Sequence, residues 1–177
     1  VLNQRTWSRP SGQPDGPDAD PVTVAREIAL RLLGVRDRTR RELEQALAKK
    51  GVPVEASEEV LDRLTDAGLI DDQKFAATWF EGQRRRQRST RALRHELRTK
   101  GVDADVVESA AENVDDEADL QAAQALVAKR APSLQRLPHE VRYRRLAGQL
   151  ARRGFPSSVI SSVLRDLPPN VETEPQL

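Results

Sequence analysis

The chain has 177 residues, a net charge of +1, no cysteine and 32% charged residues. Its mean hydropathy is −0.65. No apolar run of the ~18 residues that a membrane helix needs is present, no thiol is available for a disulfide or a thiolate metal site, and no charged-then-apolar export segment stands at the start. A cytoplasmic protein is expected, with several small helix interfaces rather than one large core. Val1 at the first position points to a native start upstream.

Residues 1–20 place Pro10, Gly12, Pro14, Gly16 and Pro17 among polar residues, so a disordered tail with Trp7 exposed is expected. From Val22 on, Ala25, Ile28, Ala29, Leu32 and Leu33 share one helical face, which Gly34 closes. Thr39-x-x-Glu42 is a capping-box signature for a second helix ending near Gly51. Pro53 starts a third helix through Leu64, closed by Gly68, with Leu69 and Ile70 expected to lock it in place. Asp71-Asp72 opens the next helix. Paired acids invite a metal or acid–base reading, but an N-cap carboxylate stabilises a helix by ~1 kcal/mol and accounts for them without further chemistry. Phe75, Trp79 and Phe80 follow at helical spacing and are expected in a core rather than as a base-stacking platform.

That helix is expected to run into the cationic stretch 83–88. Ser89 then caps a helix ending at Gly101, and Asp103 to Val114 forms another. Asp115-Asp116-Glu117 repeats the acidic helix start, and Leu120, Ala123 and Val127 give one apolar face before Pro132 breaks it. Tyr143, Leu146, Ala147, Leu150 and Ala151 line the next helix, and Val159, Ile160, Val163 and Leu167 the last. Pro168-Pro169 ends the fold. No run of β-branched and aromatic residues alternates with period two, so no strand is expected.

One stretch occurs three times. Thr39, Leu43, Leu47, Lys50, Gly51 and Val52 match Ser89, Leu93, Leu97, Lys100, Gly101 and Val102, 50 positions on. Leu146, Leu150, Gly154 and Phe155 hold the same places 53 further on. The following segment repeats as well: Ala56, Val60 and Leu64 match Val106, Ala110 and Val114, then Val159, Val163 and Leu167. A single Leu-x3-Leu match is chance, whereas three copies closed by Gly and an apolar residue are a repeat. The expected organisation is a disordered tail over 1–20, three-helix repeats over 21–70, 71–114 and 115–167, and a disordered tail over 168–177. This predicts an all-α protein whose three tandem three-helix repeats form an elongated, curved array.

The near-zero net charge hides segregation. Residues 81–100 carry eight cations against two acids, residues 103–119 carry eight acids and no cation, and residues 136–153 carry six arginines against Glu140. Any single charge is accounted for by a solvated face, but segregated segments make a field that steers a charged partner. The candidate partner-binding residues are Arg84, Arg85, Arg86, Arg88, Arg91, Arg94 and Arg98, with Arg144, Arg145, Arg152 and Arg153 in the last repeat. Exposed ion pairs contribute ~0–1 kcal/mol, so neighbouring acids are not expected to explain all of them. For catalysis there is little to work with. His95 and His139 have no nucleophile or carboxylate at a motif spacing, and there is no phosphate-binding Gly-rich loop, H-E-x-x-H or G-x-S-x-G. Two binding classes remain, nucleic acid and protein. Arginine serves both, but eight acids beside a basic patch fit a two-signed protein surface better than a pure DNA binder.

Leu69-Ile70-Asp71-Asp72-x-x-Phe75-Ala76, followed by Leu93-Arg94-x-Glu96-Leu97-x-x-Lys100-Gly101-Val102, resembles the RecX family of recombination regulators, over roughly residues 22–167. The resemblance implies an all-helical, non-enzymatic regulator built from three-helix repeats, with no cofactor or metal. Its implied partner is the RecA filament, in whose helical groove such proteins lie across neighbouring protomers. There they inhibit ATP hydrolysis, strand exchange and the co-protease activity behind the SOS response, and limit filament growth. A monomer with at most weak contact to single- or double-stranded DNA is expected. The alternative is a helical DNA-binding module acting on DNA without RecA.

Overall fold

The computed structural model describes residues 20–112, 114, 116–165 and 167, with Asp116 described by its backbone alone. Residues 1–19 with Trp7, residues 168–177 and, of the third acidic helix start, Asp115 lie outside the described residues. Every regular element described is helical. The chain divides into two compact units. One holds the residues up to Asp37 together with Leu43–Ile70; the other holds Arg38–Glu42 together with the residues from Asp71 on.

In the first unit, Asp20 starts α1 (Pro21–Leu33). Its carboxylate accepts from the N–H groups of Val22 and Thr23 at 3.3 and 3.1 Å. The hydrogen bond from the Thr23 hydroxyl holds the Asp20 carboxyl below its usual value. Pro21 occupies the first helical position, where a missing N–H removes no helical bond. The rest of α2 (Arg40–Lys49) and α3 (Val54–Asp66) follow. Ala25, Ala29, Leu43, Leu47 and Leu61 are fully buried here, with Ile28, Leu32 and Leu33 packed around them. Ile70 is buried, but Leu69 is 53% exposed. The turn after Gly68 sends successive side chains opposite ways, so only one of the two reaches the core.

The second unit contains α4 (Asp72–Arg84), α5 (Thr90–Thr99), α6 (Ala104–Ala111), α7 (Asp116–Arg130), a 3-10 turn (Ala131–Leu134), α8 (His139–Arg152) and α9 (Ser157–Arg165). Phe75, Ala76, Phe80, Leu93, Leu97, Val102, Val107 and Ala111 form one core, with Trp79 partly buried against it. Ala123, Leu126, Leu134, Leu146, Leu150, Phe155, Leu164 and Leu167 form another. Pro132 lies in the 3-10 turn that ends α7, as expected.

Four sequence expectations change. The helix of residues 72–84 stops before the basic stretch ends, because Gln87 turns left-handed (φ 56°) and donates back to the Arg84 carbonyl at 2.7 Å. α6 ends at Ala111, short of Val114. Tyr143 and Ala151 are exposed, because the buried stripe of α8 is Arg142, Leu146 and Leu150, one position out of register with Tyr143. On α7 the buried residues are Asp119, Ala123 and Leu126, while Leu120 and Val127 sit at the margin.

Candidate partner-binding face

The site is organised around the first turn of α5. A helix start leaves N–H groups without intrahelical partners, and here they are satisfied from three directions. The Ser89 hydroxyl accepts from the Ala92 N–H at 3.2 Å, the cap read from sequence. The Asp119 carboxylate, from α7, accepts from the Thr90 N–H at 3.0 and 3.1 Å and from its hydroxyl at 2.7 Å. The Ser89 N–H donates to the Arg153 carbonyl at 3.0 Å. Ser89, Thr90 and Asp119 are all buried. Gly154 (φ 86°) closes the junction. A Cβ there would overlap Cβ of Ala92 and meet the Ser89 hydroxyl at 2.8 Å, so the residue must be glycine on two counts, its backbone and its close approach.

The first turn of α2 is built alike. The Thr39 hydroxyl accepts from the Glu42 N–H at 3.1 Å and donates to the Lys100 carbonyl at 2.7 Å, and Asp72 accepts from the Arg40 N–H at 3.0 Å. Of the acidic pair at the start of α4, only Asp71 caps its own helix, at Lys74 N–H (2.8 Å). Asp72 serves another helix start. Burial is the main reason its carboxyl sits above the usual value; the Arg40 N–H opposes this, and Asp103 adds to it. Lys100 pairs with Glu42 at 2.9 Å and stands 6.0 Å over the Trp79 ring.

The candidate arginines separate into two groups. Arg84 is mostly buried, 3.7 Å from Asp119 and 3.3 Å from the Thr90 hydroxyl, so it completes the network at the start of α5. Arg85 pairs with Glu81 at 3.3 Å and Arg88 with Glu96 at 2.6 Å. Arg94 and Arg98 share Glu108, at 3.0 and 2.7 Å, though the Arg94 Nε contact is an ion pair outside hydrogen-bond geometry. Arg153 is half-buried and makes a long 3.5 Å contact with the Gln87 carbonyl. Arg86, Arg91, Arg144, Arg145 and Arg152 are exposed and have no partner among the described residues. The structure thus brings Arg91, Arg94 and Arg98 together with His95 along one open groove that reaches Gly154. Arg144, Arg145 and Arg152 lie on α8.

Asp119 escaped the sequence reading, which counted it only as part of an acidic run. Its partner Thr90 is 29 positions away, beyond any local pattern. The available signal was the polar residue that follows each repeated cap. No group of three or more His, Cys, Asp or Glu among the described residues is placed to hold a metal ion. No helix among them is long and apolar enough to cross a membrane.

Three family models match the chain. They describe the first, second and third three-helix domains of RecX and cover residues 25–64, 71–110 and 116–164. The regulatory protein RecX of Streptomyces coelicolor is 45% identical over 150 residues, 84% of this chain and 80% of that protein. The protein of the same name from Mycolicibacterium smegmatis is 46% identical over 169 residues, 90% of each. The crystal structure of RecX from Lactobacillus salivarius superposes with a TM-score of 0.68 at 22% identity, covering 84% of this chain and 97% of that one, and so shares the fold. A second crystal structure, of a regulatory protein RecX, gives 0.67 at 26% identity, covering 84% and 73%. Three matched three-helix domains, and identities above 40% across most of the chain, show that this protein belongs to the RecX family.

Proposed function

We propose that this protein is a non-enzymatic, cytoplasmic regulator that binds the RecA filament as a monomer and inhibits its ATPase, strand-exchange and co-protease activities, so damping recombination and the SOS response. Membership of a family of regulatory proteins carries the reading. The charge layout supports it. Five candidate arginines stand exposed and unpartnered among the described residues, and two of them, Arg86 and Arg91, precede the acidic segment 103–119. Surfaces of mixed sign fit a protein partner that brings its own charges, and complementarity of this kind sets on-rate and register.

The test is RecA's DNA-dependent ATPase measured against added protein. On this reading the rate falls as the protein is added, with filament DNA in excess. An unchanged rate contradicts it. Loss of ATPase only where the protein has stripped RecA's DNA by binding it directly favours the helical DNA-binding module instead.

A further inference from the structure

The groove beside α5 has a volume of about 530 Å³ and is lined by Arg91, Ala92, Arg94, His95, Arg98 and Gly154. Two of these residues, Ala92 and Gly154, are small, and three are arginines. Two of its three guanidinium groups are already engaged by Glu108. What the groove offers outward is Arg91 and His95, both exposed and neither with a side-chain partner among the described residues. They sit four apart on α5, hence one above the other on the same face.

We infer that this groove takes an acidic segment of a protein partner, with two carboxylates about one helical turn apart laid on Arg91 and His95. The inference deepens the proposed function and rests on its premise that the partner is a protein. A carboxylate meets a guanidinium through two parallel hydrogen bonds, and a second carboxylate one turn on meets the imidazole. Nucleic acid fits less well. Its affinity grows with the number of phosphates neutralised, yet only one guanidinium here is unengaged. A phosphate strand would also run past Glu108 on α6, which is exposed. A short acidic segment enters the groove and stops.

The experiment uses the full chain with a labelled short poly-glutamate peptide and, in parallel, a labelled oligothymidylate, read by fluorescence anisotropy. Arg91→Ala with His95→Ala is compared with the parent and with a control that removes two cations elsewhere, Arg31→Ala with Lys49→Ala, both exposed sites in the first unit. The groove variant should bind the peptide about tenfold more weakly, as loss of charge-assisted pairs implies. Its oligonucleotide affinity should be nearly unchanged, and the control should hold both. Circular dichroism confirms that each variant keeps the parent's helix content; should Arg91→Ala with His95→Ala lose it, Arg91→Gln alone carries the test. Unchanged peptide affinity overturns the inference, and so does no peptide binding by the parent. Equal loss for peptide and oligonucleotide also overturns it, since the groove would then be a general anion surface. Failure of the peptide test with RecA still inhibited removes the groove and leaves the proposed function standing. A positive peptide test with RecA unaffected does the reverse.

Discussion

The arginines of residues 84–98 and the exposed ones of α8 look alike in sequence and stand in different surroundings. In the first region, five of seven have an acid partner within the chain: Arg84, Arg85, Arg88, Arg94 and Arg98. On α8, Arg144, Arg145 and Arg152 have none among the described residues. Local acids thus reach five of the seven in the middle of the chain, leaving Arg86 and Arg91, and none of these three on α8. The comparison teaches that a run of like charge is not itself a surface. Where acids return to it from other helices, part of it becomes framework, and only the remainder is left for a partner.

The largest effect should come where an arginine is most deeply framework. Asp119→Ala leaves Arg84 and the Thr90 N–H and hydroxyl without their carboxylate in a buried setting, which costs about 2–4 kcal/mol. Asp119→Asn keeps an acceptor and should cost less. Denaturant midpoints decide this; a loss below ~1 kcal/mol for the alanine would mean the network at the start of α5 is slack.

Next come the glycines that end the repeated helices. Gly51, Gly101 and Gly154 all have positive φ, but a Cβ at Gly51 meets nothing within 4 Å, whereas at Gly101 it overlaps Arg41 and at Gly154 it overlaps Ala92. Gly51→Val should cost about 1–2 kcal/mol, from the left-handed backbone alone. Gly101→Val and Gly154→Val should cost more, by about 1–3 kcal/mol of added overpacking. Equal thermal melts for the three would show that the close approach is unimportant.

Smaller still is the pairing of Arg94 and Arg98 with Glu108. Arg98 and Glu108 are about half exposed and Arg94 a third exposed, so replacing both arginines by Gln should shift stability by no more than ~1 kcal/mol. A larger loss would place them with Arg84 as framework.

The smallest effect is a pH dependence at Asp72. Its folded carboxyl is raised above the ordinary 3.8, mainly by burial, so the folded chain holds that proton more tightly than the unfolded one. This contribution to stability is fully present below pH 3.8 and is lost as pH rises through the folded value. Asp72→Asn keeps an oxygen for the Arg40 N–H and removes the titration. It should be at least as stable as the parent at neutral pH, with the difference closing on acidification. A variant that is less stable at neutral pH would contradict this.

Much of the fold was legible because its signals are local. The caps at Thr39, Asp71 and Ser89, the left-handed glycines and the Leu-x3-Leu stripes all act within a few residues. What was not legible depends on where distant helices meet. Asp72 and Asp119 cap helices begun by Arg40 and Thr90, 32 and 29 positions away. Arg142 rather than Tyr143 is buried on α8 because the packed stripe includes a long side chain whose charge hides it from an apolar count. The candidate site was read as one cationic set. Its division into framework and free arginines follows from carboxylates such as Glu108, which packing rather than spacing brings to them.

On the proposed function, it is the free arginines rather than the paired ones that meet RecA. The direct measurement is inhibition of RecA's DNA-dependent ATPase by the parent and by Arg144→Glu with Arg145→Glu and Arg152→Glu, each checked for unchanged helix content. The parent should inhibit, and the triple variant, as stable as the parent, should lose most of that inhibition. A triple variant that inhibits as well as the parent would contradict it.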